Sequence, residues 1–243
     1  MKRFSAALVF VFMSVTATVN AEEHPWELAQ QAEQRDQVST WTRKVDGFTL
    51  KAFKGQIEVP YSMLVVMAVI ADVERFPEWV FQCDYARLMS EIDNNVAYVH
   101  IKGIWPVSDR DVVTETIATQ NPDTLAITLK TEATGGLYPP QEGKVRIPAL
   151  DNVFLLEPLE NGWTRLTFDT FVDPGGFIPG WLANLVAIRA PRDTLVGMYR
   201  LMADPKYHIA STDDLPETFP VWRSMTFPNA GKSAALAEQR ASE

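Results

Sequence analysis

Between 179 and 202 the apolar positions Leu182, Leu185, Val186, Ile188, Leu195, Val196, Tyr199 and Met202 recur at helical spacing but are too many for one narrow stripe. The pattern predicts a long helix covered on more than one side. Just upstream, Pro174 fixes φ and Gly175-Gly176 supply conformations closed to other residues, so Asp173-Pro174-Gly175-Gly176 reads as a sharp turn. Pro179 then stands at a first-turn position. Pro191 falls inside the helix, where it removes a donor and crowds the carbonyl four residues back, at about 3 kcal/mol if the helix stayed straight. A bend is expected there. A bent helix apolar around much of its girth suits a lid over a hollow sheet, and a plain core helix fits the same periodicity.

Ahead of this helix the chain alternates. Leu125, Ile127 and Leu129 share one face and Thr128 and Lys130 the other, a clean period of two. Strand pairs are predicted at 85–90 with 96–102, 112–119 with 125–131, and 145–157 with 163–172, each around a turn rich in Asn, Asp, Gly or Pro. Earlier still, 41–44 and 48–54 flank Asp46-Gly47, a dipeptide favoured in two-residue hairpins, and 56–60 adds a third strand. The run 61–73 is apolar without strict alternation and predicts a buried helix, followed by a short second one carrying Trp79, Val80 and Phe81. Good helix formers at 25–33 predict a modest amphipathic helix at the domain's start. The order is that of an α+β domain with one long, curved antiparallel sheet closed by the last helix.

The two ends differ from this middle. Lys2 and Arg3 precede an apolar run from about Phe4 to Val15, too short to cross a bilayer, and Val19-Asn20-Ala21 offers small residues for cleavage. Residues 1–21 are therefore expected to be a signal peptide cleaved after Ala21, 22–203 the folded domain, and 204–243 a tail. That tail holds four prolines and is expected to be largely irregular, with Phe219, Val221, Trp222 and Phe227 available to dock. Export, with the periplasm as destination, follows. Cleavage removes Lys2 and Arg3 and no acid, so the net charge goes from −9 to −11. So acidic a chain is a poor partner for nucleic acid. Cys83 is the only cysteine, so no internal disulfide is possible.

Candidate chemistry is sparse. His24, His100 and His208 share no metal-ligand spacing, and neither a phosphate-binding glycine loop nor a serine elbow occurs. No cofactor and no metal are expected. In Asp109-Arg110-Asp111, Arg110 is read as a corner residue making bidentate contacts to a carboxylate and fixing Trp105, without touching a ligand. On 163–172, Arg165, Thr167 and Asp169 share one face. If that face looks into a hollow, Arg165 and Asp169 pair inside it; if it looks to solvent, they make an ordinary surface contact. Gly135 to Pro140 reads as a mobile loop at a cavity mouth.

Two stretches carry a resemblance. Ile104-Trp105-Pro106-Val107-Ser108-Asp109-Arg110-Asp111-Val112 resembles the entry to a mid-sheet strand in START lipid transfer domains, and Asp173 to Gly176 with the helix through Ala190-Pro191 is similar to that family's approach to its C-terminal helix. The resemblance covers roughly 26–202. It implies a helix-grip fold: a curved antiparallel sheet around a hydrophobic tunnel, closed by the C-terminal helix over one lipid or other hydrophobic molecule, with transient contact with a membrane surface. Several family members meet the ligand's polar end with a buried acid and arginine. The positions here that align with that pair are nearer His100 and Thr116, a departure from the pattern. Candidate ligand contacts are His100, Arg165, Asp169, Leu137, Tyr138, Phe177, Trp181, Leu185, Ile188, Leu195 and Tyr199, and Trp79, Phe81, Ile101 and Phe154 would extend the lining. A cyclase-like enzyme using the same hollow, and an envelope interaction protein with a filled core, are the alternative functions.

Overall fold

The computed structural model describes residues 24–48, 50–160, 162–215 and 220–228. The predicted signal segment 1–21, Asn161 of one turn, Phe219 and the tail end 229–243 lie outside them.

Ten strands form one sheet: β1 (Glu27–Gln30), β2 (Ser39–Arg43), β3 (Ala52–Val59), β4 (Cys83–Leu88), β5 (Val96–Ile101), β6 (Arg110–Gln120), β7 (Ile127–Ala133), β8 (Val145–Arg146), β9 (Ala149–Pro158) and β10 (Thr164–Asp173). Their order is β1-β2-β3-β10-β9-β7-β6-β5-β4, every neighbour antiparallel, with β8 added parallel to β6. Two helices complete it: α1 (Met63–Ala71) and α2 (Gly180–Leu201), with a 3-10 segment Val73–Glu78 after the first. This is the α+β architecture expected from the element order, in the helix-grip arrangement that the resemblance implies.

All nine residues of α1 are buried. A helix with no polar face persists only where it is covered on every side, and burial of each large side chain contributes about 1.5–3 kcal/mol. That outweighs the β-branched content that would suit a strand. One buried cluster joins α1 to Ile57, Leu129, Phe154, Leu156, Leu166 and Phe168 of the sheet, to Leu195, Met198 and Leu201 of the C-terminal half of α2, and to Met202 just after it. The solid core thus fills one end of the concave face. α2 continues through Pro191, which stands where the helix crosses β3: a Cβ on Gly55 would lie 3.3 Å from the Pro191 Cβ and 2.7 Å from Leu195 Cδ1. A glycine inside a strand marks such a close approach.

Closer still is Gly197, where a Cβ would fall 2.8 Å from the backbone Cα of Trp79. Backbone cannot yield as a side-chain tip does. Gly197→Ala is therefore expected to destabilise the fold by roughly 1–3 kcal/mol, read as an earlier urea midpoint with unchanged slope; a midpoint equal to that of the native protein would contradict this packing.

Four element predictions need correction, the first being that the 3-10 segment Val73–Glu78 ends before Trp79, Val80 and Phe81, which the second helix was expected to carry. Residues 25–33 give the edge strand β1 instead of a helix: the segment is shorter than an isolated helix needs, and pairing with β2 decides its state. No two-residue hairpin forms at Asp46-Gly47; β2 ends at Arg43 and β3 starts at Ala52, and the third strand predicted at 56–60 is the end of β3. The strand predicted at 145–157 breaks at Pro148, which has no N–H for a ladder. Beyond α2 the described residues are bound to the domain at several points. Arg75 holds Asp204 at 2.8 Å, the Tyr207 hydroxyl donates to Asp72 at 2.8 Å, and Tyr207, Leu215 and Trp222 are buried in the core.

Candidate ligand cavity

Opposite the solid core, the other end of the concave face is hollow. A cavity of about 300 Å3 lies between β5, β6, β7, β9, β10 and β3 on one side and the N-terminal half of α2 on the other. Leu182, Ala183, Val186 and Ala190 of α2 form its roof, Phe76, Trp79, Val80 and Phe81 one wall, and Gly103, Ile104 and Val107 of the loop before β6 another. Most of the lining is apolar. Alternation along each strand sends Ala97, Val99, Val112, Leu150, Phe154, Phe168 and Val172 inward.

Across this apolar surface runs a single polar row. Thr116 pairs with Thr131, Thr131 with Asn152, and Asn152 with Thr170, all facing the cavity. Thr116 and Thr131 hydroxyls lie 2.9 Å apart, Thr170 donates to Asn152 Oδ1, and the Thr116 N–H donates to the Asn95 carbonyl at 2.9 Å. The row is largely self-satisfied. Three buried polar atoms on the cavity's residues are not: Asn95 Oδ1, Trp79 Nε1 and Arg110 Nε have no hydrogen-bond partner among the described residues. A second, larger groove of about 520 Å3 runs over the outer face, but Glu115, Lys130 and Glu132 on its rim are exposed to solvent, and it joins no unsatisfied buried atom.

The sequence-predicted contacts fall elsewhere. Arg165 and Asp169 point to the outer face and do not pair with each other: Arg165 binds Glu58 at 2.9 Å and Asp169 lies 3.9 Å from Lys54. The face looks to solvent, as the second of the two readings had it, but each residue meets another partner in place of the contact expected between them. His100 is also turned outward, its Nε2 2.9 Å from Asp109 and its Nδ1 3.4 Å from Asp84. Tyr138 packs on Tyr98 over the outer face, with ring centroids 5.5 Å apart, and Leu137 beside it is exposed. The Tyr138 and Pro139 carbonyls accept from Arg146, so the loop is tied down. On α2, Trp181, Leu185, Ile188, Leu195 and Tyr199 lie off the face that lines the cavity, and Phe177 is 84% exposed. Choosing positions by apolarity alone selected the wrong face of the helix. Trp79, Phe81, Ile101 and Phe154 do line the cavity.

Arg110 is corrected as well. The bidentate pair at this corner is Arg146 with Asp111, at 2.8 and 3.0 Å, while Arg110 donates to the Ser108 carbonyl and lines the cavity. Trp105, 86% exposed, is not held by it. Thr116, one of the two positions aligned with the family's polar pair, does line the cavity; Asn95, Thr131, Asn152 and Thr170 were missed as lining residues, although one signal was present: a polar residue interrupting the inward, apolar half of an alternating strand, as Thr170 does between Phe168 and Val172.

A curved antiparallel sheet gripping a C-terminal helix, with an apolar cavity between them, is joined by a match of residues 13–195 to the family model for the START domain. The chain belongs to the START family. It is 31% identical to the uncharacterized protein PA1579 of Pseudomonas aeruginosa over 181 residues, 74% of this chain and 87% of that one. Among solved structures, the STAR-related lipid transfer protein of Xanthomonas axonopodis is 29% identical, superposes with a TM-score of 0.65, and matches 73% of this chain and 98% of that fragment. Human STARD10, 20% identical with a TM-score of 0.65 over 82% of each chain, shares the fold.

Proposed function

We propose that this START-domain protein binds one hydrophobic molecule, a lipid, beneath the N-terminal half of α2 and transfers it between surfaces without altering it. The observation that carries this reading is the cavity itself, walled by apolar side chains and roofed by a helix that has its other half anchored in the core. Each Å2 of ligand surface removed from water there contributes about 25 cal/mol. No covalent step belongs to the proposal: burial pushes the Cys83 thiol up to about 12, leaving little thiolate at neutral pH. Saturable uptake of one Nile red per chain, displaced by a single-chain lipid, is the expected result, and absence of saturable uptake contradicts the reading.

The segments bordering the cavity also expose large aromatic rings: Trp105 beside Ile104, and Phe177 and Trp181 flanking Ile178 and Leu182. Rings of this kind settle at the membrane interface. We assign them to transient docking, on neutral rather than anionic surfaces given the acidic chain. Trp105→Ala is expected to slow vesicle-to-vesicle transfer several-fold; an equal loss of ligand affinity in solution would instead place Trp105 in the cavity wall. Export belongs to the same proposal, with a mature N-terminus at Glu22 in the envelope fraction; an intact Met1 there contradicts it.

A further inference from the structure

The chain carries 31 acidic residues against 22 basic ones, yet among the described residues no Asp or Glu lines the cavity. Its two charged lining residues, Lys102 and Arg110, are both cations and both flank the loop before β6. Lys102 is largely exposed and lies 3.7 Å from Asp84. Arg110 is 6% exposed.

A buried guanidinium is costly unless a carboxylate and further acceptors meet it. Arg110 has five donors, and among the described residues it makes one hydrogen bond, to the Ser108 carbonyl, with Nε unpartnered and no carboxylate paired to it. The adjacent acids are engaged elsewhere. Asp109 accepts from the Gly103 N–H at 2.8 Å and faces His100 at 2.9 Å, and Asp111, on the opposite face of β6, holds Arg146. Burial lowers the Arg110 pKa from its ordinary value, the nearby Asp109 charge offsetting part of this without a hydrogen bond to it, and a guanidinium stays charged at neutral pH.

Size narrows the occupant further. At roughly 30 Å3 for each water- or methylene-sized group, a cavity of about 300 Å3 holds on the order of ten of them. That is the size of one medium chain.

We propose that Arg110 anchors the anionic end, a carboxylate or a phosphate monoester, of a single-chain amphiphile whose chain lies among Val99, Val112, Ile147 and the α2 roof. The proposal rests on the cavity being the ligand site, and the test separates the two. Calorimetric titrations of the purified protein would use decanoate, decyl phosphate, decanol and inorganic phosphate. One or both of the anionic amphiphiles should bind roughly tenfold or more tightly than decanol, and the tighter of the two identifies the head group. Arg110→Met should bring the acid-to-alcohol ratio toward one, and Arg110→Lys should retain part of it. Equal binding of all three amphiphiles by the native protein overturns the anchor and leaves the cavity reading standing. Inorganic phosphate binding as tightly as decyl phosphate overturns the amphiphile. Binding of none overturns both. The native ratio decides the matter even if Arg110→Met does not fold.

Discussion

Arg146→Ala is expected to lower stability by about 3–5 kcal/mol at pH 7, the range for breaking a buried ion pair from one side. Asp111 is completely buried, and Arg146 meets both of its oxygens in a fork, at 2.8 and 3.0 Å. Burial by itself would raise the Asp111 pKa, but hydrogen bonds and charge from Arg146 outweigh it and hold the carboxyl below the usual carboxylate range. A depressed folded-state pKa stabilises the protein at pH above the unfolded value, about 3.9, and that stability is lost as pH falls through the folded value. Without Arg146 the sign reverses, because a buried, unpaired carboxyl is raised. The gap between native and variant should therefore be widest near pH 7, narrow toward pH 4 as the variant's penalty is lost, and close only below the depressed native value. Urea melts over that range check this. Replacing the pair together, Asp111→Leu with Arg146→Met, should recover much of the loss. A variant within about 1 kcal/mol of native at pH 7 would contradict the role given to the pair.

The second large effect concerns the roof. Val186→Trp directs an indole from α2 into the cavity and should reduce affinity for a single-chain lipid at least tenfold. Melting should hold or rise, since the ring fills space that the native core leaves open. Ile188→Trp, two residues on, is the comparison: Ile188 is 59% exposed and off the cavity face, so binding should match that of the native protein. The reverse result would turn α2 over and with it the whole account of the site.

This contrast also shows what the sequence made legible. The alternation on β6, β7 and β10, the all-apolar α1 and the turn before α2 are local patterns, and each appears where those patterns place it. Which side of α2 meets the hollow is set by Pro191 against Gly55 and Gly197 against Trp79, contacts between segments over a hundred residues apart in the chain. Periodicity does not carry that information. The same holds for Arg165 and Asp169: their shared face was readable, while the direction of that face depended on the sheet's curvature. Arg110 was singled out for its charge at a corner, but its missing carboxylate became visible only once Asp111 was seen turned away toward Arg146.

Native mass spectrometry of the protein purified from its host's envelope, with solvent extraction of what it carries, tests the central claim most directly. One small acidic lipid per chain is the predicted result. An unliganded mass, together with no uptake of fatty acid, single-chain phospholipid or sterol, would contradict it.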